Sequence, residues 1–139
     1  SVSVDVPLSP EQAWDAASDL SRFSEWLSIH KMWRSALPET VGEGTELDSV
    51  VEVKGMLNRV HWTIVSYQPP ESMTLNISGV GGVRIKLTAR VAPVAEGACV
   101  QLDIHLGGPA LFGPIGLVVA AALKSDIRQS LDQFKKVFS

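Results

Sequence analysis

Three histidines and a single cysteine are the residues of this chain best suited to acid–base, nucleophilic or metal chemistry. Histidine titrates near neutral pH and is the usual proton donor or acceptor in a reaction at that pH. Each histidine can be placed by the alternation around it. His105 shares strand parity with Gln101 and Asp103, which points it to solvent, and His61 alternates with Arg59 and Thr63 on the side opposite Val60, Trp62 and Ile64. His30 follows a short helical stretch where the chain enters a run of strands, and is expected at a pocket rim in reach of a ligand. No pair or triple of histidines has metal-ligand spacing, and Cys99 falls on the outer parity of its strand, so no metal or other cofactor is expected. The pattern G-x-S-x-G that exposes a serine nucleophile is absent. Gly79-Val80-Gly81-Gly82 has no lysine of a phosphate-binding loop and opens no helix, so it reads as a hairpin turn.

Arg59, Arg84, Lys86 and Arg90, with Lys54 nearby, are expected to form a cationic band on one sheet face. Glu46, Asp48, Glu52 and Asp103 share that face and are expected to pair with them across strands. Twelve basic against fifteen acidic residues give a net charge of −3, which argues against DNA and disfavours RNA, since neutralising phosphates takes a basic excess. The larger signal is apolar. Trp33, Met56, Trp62, Met73 and Phe112 are placed to line or gate a cavity, and Met adapts to irregular apolar ligands. Plain core packing is the competing fate of each.

These side chains need elements to hold them. Val2-Ser3-Val4-Asp5-Val6 alternates with period two and predicts a strand. Ser9, Pro10 and Gln12 form a helix start with a capping box, followed by Ala13, Trp14, Ala17 and Leu20 at helical spacing. Ser21 reads as the cap of a second short helix carrying Phe23 and Trp26. Period-two alternation broken by Gly and Pro then predicts strands at 31–37, 45–54, 59–67, 72–78, 83–92 and 98–106, close enough in sequence to require antiparallel hairpins. From Pro114, the residues Ile115, Val119, Leu123, Ile127, Leu131, Phe134 and Phe138 make an apolar stripe on one long helix.

The expected fold is α+β: a single domain over residues 1–139, with a seven-stranded antiparallel sheet curved around the C-terminal helix and two short helices after the first strand. A chain of 139 residues with 45% hydrophobic residues suits one core. The uncharged run 109–123 is shorter than the roughly 20 residues of a membrane span and is broken by Pro and Gly. The lone cysteine and the lack of a secretory signal pattern at residue 1 fit a cytoplasmic setting.

The run VSVDVPLSPEQAWDAASDLSRFSEW resembles the opening of the START-like (SRPBCC, helix-grip) superfamily of polyketide cyclases and dehydrases and the birch-pollen allergen type. Trp14, Asp19 and Trp26 carry the likeness, which continues through PPESMTLN and the final helix. VEVKGMLNRVHWTIV and HLGGPALFGPIGLVVAAALK are similar to an actinobacterial branch, some of whose members are toxins of type II toxin–antitoxin pairs. That resemblance implies a small antitoxin partner and brings no catalytic residue to a position of this chain.

Three functions are therefore expected. The first is binding of a hydrophobic, lipid- or polyketide-like molecule between sheet and helix. Its walls are His30, Trp33, Met56, Trp62, Met73, Leu75, Ile85, Leu87, Leu106, Phe112, Ile115, Val119 and Leu123. Ala120, Ala121 and Ala122 are expected to leave room, and loops 55–58 and 107–113 to frame the mouth. The second is the toxin role. The third is a cyclase or dehydratase, for which His30, Arg34 and Ser49 are the inward polar candidates.

Overall fold

The computed structural model describes residues 2–53, 56–79, 84–107 and 114–138. Strand β1 (Val2–Val6) leads into α1 (Pro10–Ser18), a 3-10 turn (Leu20–Arg22) and α2 (Phe23–Trp26). Six strands follow: β2 (His30–Trp33), β3 (Glu46–Val53), β4 (Met56–Gln68), β5 (Ser72–Gly79), β6 (Arg84–Val94) and β7 (Gly97–Gly107). The chain then forms α3 (Pro114–Phe138).

Local chemistry accounts for the helix starts. The Ser9 hydroxyl accepts from the Gln12 N–H, and the Gln12 side chain accepts from the Ser9 N–H, each at 3.1 Å, completing the expected capping box. Ser21 is not the second cap. Asp19 takes that place, its carboxylate accepting from the Ser21 N–H at 3.1 Å, and the turn it caps runs on into α2. β2 ends at Trp33 rather than 37, and β4 begins at Met56 rather than 59.

The seven strands form one antiparallel sheet in the order β1-β7-β6-β5-β4-β3-β2, a meander with β1 joined to its last strand. Register shifts between Ile64 and Ser66 and between His30 and Met32 interrupt the ladder, and such irregularities bend a sheet. The curved sheet wraps α3 on its concave side. α3 touches β1, β7 and β3, while α1 lies under β6 and β7. Leu123, Ile127, Leu131 and Phe134 of α3 are fully buried, as the stripe predicts.

Two contacts lock the layers. Ser130 on α3 accepts from the Ser28 N–H at 2.8 Å and donates to the Asp126 carbonyl at 2.7 Å, tying the α2–β2 connection to the helix. At Gly97 any Cβ would run into the Val6 carbonyl and Pro7, so glycine lets β7 begin against β1.

Candidate functional site

Alternation along each strand sorts the side chains into a concave interior and a convex outer face. Two inner rows run across the sheet. Leu47, Trp62, Ile77 and Ile85 form one, and Ile64, Leu75, Leu87 and Ile104 the next. Beside the first lie Ser49, Val60 and Gly79, and then His30, Val51 and Asn58.

Burial along these rows is uneven. Trp62, Ile64, Met73, Leu75 and Leu102 are sealed. Toward the end where α3 starts, Val60 is 9% and Ile85 7% exposed, Ile104 and Gly79 are half-buried and Asn58 is exposed. Ala89 and Val91, at 7% and 6%, show a comparable exposure on the strand that α1 covers. The described interior is thus closed at its middle, with slightly higher exposure at inner residues of β4, β6 and β7, while Ser49, Val51 and His30 on the β2–β3 side stay buried.

The solid part is aromatic. Phe23, His30, Trp33 and Trp62 form one ring cluster, with centroids 4.4 Å apart for His30–Trp33 and 5.2 Å for Trp33–Trp62. Trp26 packs edge-on to Phe134 at 5.1 Å, and Phe134 meets Phe138 at 4.8 Å. The indoles are tethered: Trp62 Nε1–H donates to Ser49 Oγ at 2.6 Å, and Trp33 Nε1–H donates to the Leu20 carbonyl at 2.8 Å. His30 is buried in this cluster at 4% exposure, and its Nδ1 has no hydrogen-bond partner. Burial pushes its pKa down to about 4, so the imidazole is neutral near pH 7. Trp26 Nε1 is likewise buried without a partner, and both residues border a groove of about 450 Å3 between α2 and α3.

The expected wall residues fall into three groups. Trp62, Met73, Leu75, Ile85, Leu87 and Leu123 are buried in the core, where the inner sheet face meets α3, and His30 and Trp33 sit at the β2 edge of the same interior. The backbones of Leu106, Ile115 and Val119 lie in β7 and α3 as expected and that of Met56 in β4 rather than in the expected loop, but the side chains of all four are outside the described residues, and Phe112 lies wholly outside them. Of the three alanines, Ala121 is exposed and Ala122 half-buried. Of the polar candidates, Ser49 is held by Trp62, and Arg34 is exposed.

Sequence reading misses three participants. It assigns Asn58 to a loop, although Asn58 shares parity with Val60 and Trp62. It takes Phe134 and Phe23 only as helix stripe residues. Nothing in the spacing alone shows that their rings meet Trp26 and Trp33.

On the convex face, His61 stands where parity puts it, between two carboxylates: Nδ1 lies 2.9 Å from Asp48 and Nε2 3.0 Å from Glu46. These contacts raise its pKa, the Asp48 hydrogen bond most. Cys99 is half-buried and its thiol pKa is raised, chiefly by burial. Among the described residues no group of three potential metal ligands converges, and no helix is long and apolar enough to cross a membrane.

Residues 1–139 match the family model described as polyketide cyclase / dehydrase and lipid transport. The chain belongs to this family. It is 64% identical over 137 residues to a Mycobacterium tuberculosis protein named "Toxin Rv0910", covering 99% of this chain and 95% of that one. A second protein of that organism, "Uncharacterized protein Rv1546", is 43% identical over 99% of this chain and 96% of its own length. Among solved structures, TTHA0849 from Thermus thermophilus superposes with a TM-score of 0.74 at 18% identity, covering 97% of this chain and 92% of that one. Ara h 8.0201 gives a TM-score of 0.73 at 12% identity, covering 99% and 94%. At such identities the structural likeness speaks for the helix-grip fold.

Proposed function

We propose that the protein binds a hydrophobic, lipid- or polyketide-like small molecule between the concave sheet face and the first turns of α3. The observation that carries this reading is the partial exposure of the inner-face residues Val60, Ile85, Ile104 and Asn58 beside a buried aromatic cluster. The sealed aromatic half serves as the floor, and Met56, Leu106, Ile115 and Val119 occupy sequence positions on the elements around the opening. A guest burying about 250 Å2 of apolar surface gains about 6 kcal/mol before the cost of ordering. His30, whose Nδ1 lacks a partner, and Asn58 share the outermost inner row and can orient a polar end of the guest. The family's description, which joins cyclisation to lipid transport, supports an apolar guest.

Titration with 1-anilinonaphthalene-8-sulfonate tests the reading. Saturable one-site binding is expected in the parent chain, and Ile85→Trp, which fills the opening, should weaken it at least tenfold while far-UV dichroism stays unchanged. Absence of saturable binding, or equal affinity in folded Ile85→Trp, refutes the site. Native mass spectrometry followed by extraction would then identify the guest.

A second reading, the toxin half of a toxin–antitoxin pair, draws on the name of the 64%-identical relative. Its test is growth of cells expressing the chain with and without the neighbouring small open reading frame. Normal growth with the chain alone removes it.

A further inference from the structure

The convex sheet face divides its charges unevenly. All four carboxylates on β3–β7 are engaged: Glu46 and Asp48 hold His61, Glu52 meets Lys31 at 2.6 Å, and Asp103 lies 3.6 Å from Arg90. Arg59, Arg84, Lys86 and His105 are exposed, and among the described residues they form no ion pair. Of the described cations expected to be neutralised across strands, Arg90 alone meets a carboxylate, and Lys54 lies outside the described residues.

Register brings these four to one margin of the sheet. Lys86 stands between Asn76 and His105, and Arg84 is opposite Ser78. With Ile77 and Ile85 at its inner rim, these residues line a groove of about 520 Å3 whose described lining contains no carboxylate. Along the same margin, on β2 and β4, Met32 and Leu57 are 58% and 67% exposed. Val50 lies between them, paired with Met32 and with Arg59. β2 is a sheet edge. From Met32 to His105 the band crosses five strand spacings, about 24 Å.

We infer that this margin is the docking surface for an acidic segment of a partner protein that also supplies apolar anchors. Charge complementarity carries the choice of partner, since the unpaired side chains in the band are all basic in a chain of net charge −3. The apolar end separates a peptide from a nucleic acid. An RNA backbone has no use for exposed Met and Leu side chains, and the three cations Arg59, Arg84 and Lys86 are few for phosphate binding at physiological salt. The groove shares Ile77 and Ile85 with the inner face, but the variants that test the docking surface, at Arg84, Lys86, Met32 and Leu57, are exposed residues outside the proposed pocket wall, so failure of one reading is distinguishable from failure of the other.

The probe is a fluorescein-labelled peptide of about ten residues, long enough to span the band with overhang, built of Glu and Leu in a two-to-one ratio. Its Lys-for-Glu twin and an oligouridine of similar length serve as comparators. Anisotropy at physiological salt should show saturable binding of the acidic peptide, with both comparators at least tenfold weaker. Arg84→Glu with Lys86→Glu should weaken it at least tenfold, and Met32→Ser with Leu57→Ser several-fold. These four positions are exposed, so unchanged melting curves check that the variants fold. Equal binding of the basic twin, tighter binding of the oligouridine, indifference to either double variant, or no peptide binding overturns the inference.

Discussion

Acid should destabilise this fold through one residue, His30, in a measurable window. Its imidazole is buried among Phe23, Trp33 and Trp62, and its folded pKa is about 4 against an ordinary 6.5. Between those two values the unfolded chain binds a proton that the folded chain refuses. The unfolded state then holds more protons, so stability rises with pH across the window and falls as pH is lowered through it. The 2.5-unit gap corresponds to about 3 kcal/mol in total, of which about 2 kcal/mol is lost between pH 8 and pH 5. Urea unfolding of the parent chain and of His30→Phe at pH 8, 7, 6 and 5 isolates the effect. Phenylalanine keeps a ring in the cluster and has nothing to titrate. Whatever offset it brings at pH 8, the difference between the two stabilities should shift toward the variant by about 2 kcal/mol at pH 5. Carboxylates elsewhere titrate in both chains and cancel. Parallel profiles would refute the argument, because they would mean His30 is hydrated or paired in the folded protein.

Two further outcomes follow from packing. Trp62→Phe and Ser49→Ala each orphan one end of a buried 2.6 Å hydrogen bond, so each should cost about 1–3 kcal/mol in urea melts, while the double variant costs less than the sum. Strict additivity would show that the bond contributes nothing. Gly97→Ala should cost about 1–3 kcal/mol, because backbone rather than a movable side chain blocks the new Cβ. Hydrogen exchange of the β1 amides should accelerate with it, and unchanged exchange there would refute the stated cause.

The sheet was readable in the sequence because each side chain faces either oil or water. Ile85, Leu87, Ala89 and Val91 alternate with Lys86 and Arg90, and the observed faces follow that pattern, with Thr88 buried against Thr74 as the exception. The long helix and the Ser9 capping box were readable for similar local reasons. The second cap was not, since Asp19 and Ser21 are both competent and the 3-10 geometry chose between them. The interior was harder still. Alternation tells which face a side chain occupies but not its depth, so Leu87 and Ile85 looked equivalent as pocket walls, although Ile85 is the more exposed. The convex charges show the same limit. Four acids and four cations on one face suggested mutual pairing, whereas register gave the acids to His61, Lys31 and Arg90 and left Arg59, Arg84 and Lys86 apart.

Stability and binding are therefore expected to separate across the inner face of the sheet, since Trp62 and Ile85 share a row but lie on different strands. The half containing Trp26, Trp33, Trp62 and Phe134 is dense with rings and tethered indoles, and a truncation such as Phe134→Ala there should cost about 3–5 kcal/mol. The other end carries Val60, Ile85 and Ile104 inside and Arg84 and Lys86 outside, with fewer contacts to lose. Strand β6 carries both sides of the proposed division within a few residues, Leu87 at 3% exposure and Ile85, one pleat on, at 7%. Substitutions at Val60 and Ile85 should consequently change affinity more than melting temperature, and those at Trp62 and Phe134 the reverse. A survey in which both sets changed both quantities equally would mean that the interior acts as one undivided core.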